Sequence, residues 1–285
     1  MVWDQYIDFI NKEDFRTHVA DTIKQYGDRL VPYNVEKFNS NIIDPVKMIF
    51  DKAVYGSSWE EIINSEIFRQ RDKSDNNSIG YFHQRIFQYM SGCRVPDNGK
   101  EGGWDVIVDL PNGYKIDEFN TVHKIYVEMK NKHNTMNSAA SNDTFIKMMD
   151  QMYHDDDCVC MLVEAIAMHS QNKIWEKKVR GKAEKISNRR IRRVSIDKFY
   201  EIVTGEYDAF FKVCMALPGV IQEVLSTTKT IKTPHDTVYE DLIKAARKYG
   251  KSGDQVSMSD DQVSMIVAIF MLGFSEYNGF NKLLK

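Results

Sequence analysis

Apolar residues recur at helical spacing through the first third of the chain and switch to alternation near residue 104. Asp44 and Pro45 precede Val46, Met48, Ile49 and Phe50, an N-cap and a first-turn proline ahead of an apolar face. Ser58-Trp-Glu-Glu61 has capping-box spacing before Ile62, Ile63 and Ile67. A further helix is predicted from Ser78 to Ser91, with Ile79, Phe82, Ile86 and Met90 inward and Gly92 as its stop. The polar run Arg69 to Ser78 reads as a surface loop.

Trp104 to Leu110 and Tyr114 to Asp117 alternate with period two, and Pro111-Asn112-Gly113 between them predicts a tight hairpin. His123 to Lys130 predicts a third strand, with Ile125, Val127 and Met129 on one face and Tyr126, Glu128 and Lys130 on the other. Ser141 to Tyr153 follows as a helix with Phe145, Met148, Met149 and Met152 inward, then Cys158 to Val163 as a buried strand. A last strand, Arg192 to Ile196, runs into a helix capped by Asp197 and closed by Gly205. Two C-terminal helices finish the chain. The second, Asp261 to Phe274, is apolar almost all round, which suits core or a subunit interface, core being preferred. This order gives an α/β class, a mixed central β-sheet flanked by helices, with helical N- and C-terminal parts. One domain is expected over residues 1–285, with a helical part at 1–78, a core at 79–215 and a second helical part at 216–285.

Composition narrows the function classes. With 285 residues and 42% hydrophobic content the chain can bury a substantial core. It shows neither a basic leader with an apolar core nor a run of about 18 apolar residues, so a cytoplasmic protein is predicted. Cys93, Cys158, Cys160 and Cys214 are too scattered for a disulfide framework or a zinc site. Cys158 and Cys160 instead share a strand face as small hydrophobes. His83, His123, His154, His169 and His235 have no shared ligand spacing, and no glycine-rich phosphate loop is present, which disfavours histidine-metal and nucleotide-driven chemistry. The net charge is −3, but Lys173 to Arg193 holds ten basic residues against Glu176 and Glu184, a local +8 that leaves −11 elsewhere. Such clustering fits a polyanion-binding surface and, taken alone, equally a solvated charged face.

Asp105 at a strand start and Glu128 on the neighbouring strand, with the Met129 backbone carbonyl beside them, can hold Mg²⁺ and leave positions open for water and phosphate. Lys130 shares the face of Glu128 and can meet a phosphate undergoing hydrolysis. The other Glu-x-Lys pair, Glu176 and Lys178, has no aspartate at a strand start before it. Alone, Glu128 and Lys130 also fit a solvated face with one salt bridge worth under about 1 kcal/mol. The next residues favour chemistry. Asn131 to Ser138 is a polar run in which Lys132, His133, Asn134, Thr135, Asn137 and Ser138 are suited to base edges or phosphates, the plainer reading being an asparagine-rich turn.

Gly103-Trp-Asp-Val, the run Tyr126-Val-Glu-Met-Lys-Asn-Lys-His-Asn-Thr-Met-Asn-Ser138 and the run from Arg190 to Gly205 resemble type II restriction endonucleases of the PD-(D/E)xK superfamily. Within it they are similar to the group that cleaves GGNCC-type sites, over roughly residues 80 to 215. The resemblance implies Mg²⁺-dependent cleavage of a short palindromic site in double-stranded DNA by a homodimer. It implies Asp105 and Glu128 as metal ligands, Lys130 as the catalytic lysine, and a cognate DNA methyltransferase linked by function without contact. Trp104 stands where the superfamily's namesake has proline. Some members place a Glu or Gln on the preceding helix near the metal, and Gln84 is the candidate for that accessory place, a solvent-facing helix position being its alternative. Arg190 and Arg192 alternate to one side of their strand and Arg189 and Arg193 to the other, so only one pair can meet DNA. Arg190 and Arg192 are taken as that pair. Trp175, Phe199 and Tyr200 are read as core. The rival readings are a sequence-specific DNA-binding protein without nuclease activity and a DNA repair nuclease on the same fold.

Overall fold

Residues 3–41, 43–133, 136–178, 184–228, 234–249 and 265–270 are described by the structure, a computed structural model. The helices are α1 (Lys12–Arg29), α2 (Val35–Asn39), α3 (Pro45–Tyr55), α4 (Trp59–Arg85), α5 (Ser138–His154), α6 (Ile196–Thr204), α7 (Ala209–Thr227) and α8 (Val238–Tyr249). The strands are β1 (Cys93–Arg94), β2 (Val106–Lys115), β3 (Thr121–Lys132), β4 (Cys158–Ile166), β5 (Asn172–Ile174), β6 (Lys177–Lys178), β7 (Lys185–Ile186) and β8 (Ile191–Ser195). Two compact units divide the chain: Met1–Gln25 with Asn77–Thr230, and Tyr26–Asn76 with Ile231–Lys285.

The second unit is helical. Its core joins Phe38, Trp59, Ile63 and Ile67 to Val238, Leu242, Met265 and Ile269. The predicted caps are present: Asp44 Oδ1 accepts from the Val46 and Lys47 amides at 3.0 and 3.1 Å. Ser58 and Glu61 exchange amide bonds at 2.8 and 3.2 Å. Of the predicted helix Asp261 to Phe274, residues 265–270 are helical and their apolar side chains are buried or half-buried; the rest lies outside the described residues. Arg69 to Ser78 is not a loop but the middle of α4. Polarity alone does not break a helix: from Ile67 to Ile79 no Gly or Pro interrupts the run, and Arg, Gln and Lys are good helix formers. The helix predicted from Ser78 to Ser91 is the end of α4 followed by a 3₁₀ turn at Ile86–Tyr89.

The first unit is built on a six-stranded mixed sheet of order β1-β2-β3-β4-β8-β5. β3, β4 and β8 run parallel, and the antiparallel neighbours β1, β2 and β5 complete the edges. One face packs Val106, Val108, Ile125, Val127, Met161 and Val163 against Phe82, Ile86, Phe199 and the α7 stripe Val213, Ala216, Val220 and Val224. α7 is long and apolar enough to cross a membrane by length and composition, and here that stripe is buried in the core. The other face packs Ile107, Cys158, Cys160, Leu162 and Ile191 under Phe145, Met148 and Met152 of α5, with Trp104 and Trp175. Met149, expected inward, is 44% exposed, because the buried stripe of α5 turns through 145, 148 and 152.

The hairpin also differs from expectation. β2 continues through Pro111-Asn112-Gly113, which forms an irregularity between Asp109 and Tyr114, and the reversal comes at Asp117 to Asn120. There Asp117 Oδ1 accepts the Phe119 and Asn120 amides at 3.0 and 2.9 Å, an Asx turn. Gly113 has φ 71°, and a Cβ there would collide with the Thr121 methyl, so the signal that predicts a turn instead marks a bulge. α6 begins after Ser195, its N-cap, rather than at Asp197, and it ends at Gly205 with φ 79°.

Candidate active site

Antiparallel pairing of Val106 with Val127 fixes where Asp105 falls. The Asp105 amide donates to the Val127 carbonyl at 2.9 Å. Two residues further along β3, the Met129 amide donates to Asp105 Oδ2 at 2.6 Å. The carboxylate therefore replaces a backbone acceptor just before β2 begins, and its position is set by the ladder. Glu128, one residue from Met129, points to the α5 face. Its Oε1 accepts from Lys130 Nζ at 2.8 Å and its Oε2 from Lys147 Nζ at 3.0 Å. Gln84, in the last turn of α4, donates from Nε2 to the Asp105 carbonyl at 3.2 Å. Asp105, Glu128, Lys130 and Gln84 are thus brought together.

The two carboxylates titrate in opposite directions. Burial, above all, raises the Asp105 pKa; the Met129 amide opposes it and the Glu128 charge adds to it. Burial pulls Glu128 the same way, but hydrogen bonds and charge from Lys130 and Lys147 outweigh it, so its pKa is lowered. Among the described residues no three His, Cys, Asp or Glu side chains stand together as a metal set. A cation here would rest on two carboxylates, completed by backbone and water oxygens. Mg²⁺, which keeps several waters, suits such a donor set, and a buried carboxyl crowded by a second one is an arrangement that a cation relieves.

Beside this group, Lys130, Lys132, Ser141, Glu164 and Arg193 line a cleft of about 70 Å³. Lys130 pairs in register with Glu164, and Glu128 with Leu162 and through it with Arg193, so Arg193 belongs to the Glu128 face. Glu164 is 2% exposed and takes Arg193 Nη2, while Gln171 Nε2 donates to it at 3.2 Å. His133 Nδ1 lies 3.1 Å from both Glu164 oxygens and 2.9 Å from Arg193 Nη2. A protonated Nδ1 donates to the carboxylate, and a bare one accepts from the guanidinium. Burial raises the Glu164 pKa, but Arg193 and His133 outweigh it and the net shift is downward.

The other sequence-predicted residues distribute unevenly. Lys132 and His133 sit at the end of β3 next to the cleft. Asn137 is the N-cap of α5, accepting from the Ala140 amide at 2.9 Å, and Ser138 is its exposed first residue. Asn134 and Thr135 lie outside the described residues. Arg190 donates to the Asp156 carbonyl at 2.7 Å. Arg192 is in register with Met161 and Val127, on the face opposite Glu128, and is held by Asn172 at 2.5 and 2.8 Å. The arginine of β8 that reaches the site is Arg193, not Arg192. Lys147, Glu164 and Arg193 escaped the sequence reading of the site. Glu164 carried a signal, a lone acid two residues past Leu162 on the same strand face; Lys147 carried none.

The family model for the Eco47II restriction endonuclease matches residues 7–226. The chain belongs to that family. It is a type II restriction endonuclease by descent, an enzyme of the site-specific deoxyribonuclease class. It is 29% identical over 251 residues to the type II restriction enzyme Sau96I of Staphylococcus aureus, covering 86% of this chain and 90% of that protein. It is 29% identical over 228 residues to the type II restriction enzyme Eco47II of Escherichia coli, covering 77% and 88%. All the residues of the site lie inside the matched span.

Proposed function

We propose that this restriction endonuclease hydrolyses both strands of duplex DNA at a short palindromic site of the GGNCC type, in a Mg²⁺-dependent reaction that leaves 5′-phosphates. The observation that carries the reading is the convergence of Asp105, Glu128 and Lys130 at one end of the β2–β3 pair, with Asp105 tied to the Met129 amide. Asp105, Glu128 and the Met129 carbonyl would hold Mg²⁺. When bound, the ion supplies charge relief at the phosphoryl oxygens and a more acidic water. Lys130 neutralises charge on the scissile phosphate, and Gln84 steadies the Asp105 peptide. Arg193, Lys132 and Lys177, whose ammonium donates to Ser141 at 2.6 Å, meet backbone phosphates. His133 to Ser138 contributes to base choice. Two copies related by a two-fold axis present one centre to each strand of a palindrome. The enzyme works in the cytoplasm beside a methyltransferase that protects host DNA.

Unmethylated phage DNA incubated with the protein and Mg²⁺ should give discrete fragments whose sequenced ends define the site. Chelation should abolish them, and Lys130→Ala should slow cleavage by about 10²–10³-fold while the variant still retards DNA. Retarded but uncut DNA with the unaltered protein and Mg²⁺ would refute the reading, and cutting confined to branches or ends would refute its site specificity.

A further inference from the structure

Glu128 bears one negative charge and receives two ammonium groups, Lys130 and Lys147. Lys130 alone neutralises it, so Lys147 is in excess as a counter-ion to that carboxylate. Nor is Lys147 a loose surface contact. Its Nζ also donates to the Gly103 carbonyl at 2.7 Å and stands 4.1 Å from the Trp104 ring centroid. Trp104 is 3% exposed, and its indole N–H donates to Gln151 Oε1 at 3.0 Å, one helical turn from Lys147 on α5. A carboxylate oxygen, a backbone carbonyl and an aromatic face together make a built seat for a monovalent cation. Gly103 turns the chain into it with φ 69°. The carboxylate in that seat is the one assigned above to the divalent ion.

We infer that Lys147 is a resident counter-cation of the catalytic centre, a positioning residue that holds Glu128 and the Gly103 to Asp105 entry in place before the divalent ion binds and competes with that ion for Glu128. The inference rests on Asp105 and Glu128 being the ion's ligands. It also gives Trp104 a role at the position where the superfamily's namesake carries proline: its ring is the platform under the ammonium.

The test is the melting temperature of the DNA-free protein as a function of Ca²⁺, for the unaltered chain, Lys147→Met, Lys147→Gln, Lys147→Arg and Asp105→Asn. Removing the competing charge should tighten Ca²⁺ binding about tenfold in Lys147→Met and Lys147→Gln. Both should melt lower than the unaltered chain in chelator and gain more from Ca²⁺, and Lys147→Arg should stay close to it. In cleavage, the Mg²⁺ concentration for half-maximal rate should fall while the saturated rate also falls, a split that a purely structural lysine would not produce. Ca²⁺ affinity within twofold of the unaltered chain, or weaker, in both neutral variants overturns the inference. If Asp105→Asn leaves Ca²⁺ binding unchanged, the ligand assignment has failed and the inference falls with it.

Discussion

Replacing Arg193 by Met tests the electrostatics of the cleft most sharply. Glu164 is 2% exposed, and its counter-charge comes from Arg193, with His133 beside them and Gln171 donating an amide hydrogen. Breaking a buried pair by removing one partner costs about 3–5 kcal/mol, and the 20% exposure of Arg193 puts this case at the lower end, about 3 kcal/mol. For a unit of this size that is a fall in melting temperature of about 6–12 °C. The loss should depend on pH. In the unaltered chain the folded pKa of Glu164 lies below its unfolded value, so its contribution is present above that unfolded value and fades as pH falls through the folded one. Without Arg193 only His133 opposes the upward pull of burial, so the folded pKa of Glu164 rises from its lowered position. The variant is then penalised increasingly as pH climbs from about 4 to 7, and least at the acid end. Glu164→Leu in the same chain removes the stranded charge and should restore most of the stability. That double variant folds without the cation, so its DNA affinity should fall and the slope of log affinity against log salt should shrink by about one. Calorimetric melts at pH 7 and 4.5, with anisotropy titrations in Ca²⁺, read all of this. A single-variant loss under about 1 kcal/mol, or an equal loss at both pH values, would refute the reasoning.

Arg192→Gln should leave the salt slope of DNA binding unchanged, because Arg192 faces away from Glu128, while costing about 1–2 kcal/mol through its lost bonds to Asn172; a slope reduced by one would place it on the DNA. Gln84→Ala removes the donor to the Asp105 carbonyl and should lower the cleavage rate several-fold with a stability loss of about 1 kcal/mol. An unchanged rate at saturating Mg²⁺ would reduce Gln84 to a helix-end brace.

Local patterns determined much of this protein. The caps at Asp44 and Ser58, the alternation of β3, the buried run of β4 and the stop at Gly205 depend on neighbours within a few residues, and each was legible in the sequence. So was the shared face of Glu128 and Lys130, because alternation along a single strand needs no tertiary information. The polar stretch of α4 and the Pro-Asn-Gly bulge misled, since composition records polarity and turn preference without recording whether the chain continues.

What only the tertiary structure decided is which residues from distant segments share that face. Strand order and register place Arg193 rather than Arg192 beside the site and put Glu164 next to Lys130. The packing of α5 across the sheet brings Lys147 and Gln151 to Trp104 and Glu128. A period along one strand fixes parity, but the face that meets substrate depends on what covers the opposite side. That choice is made by burial of the two apolar faces, a property of the packed sheet and not of any one segment.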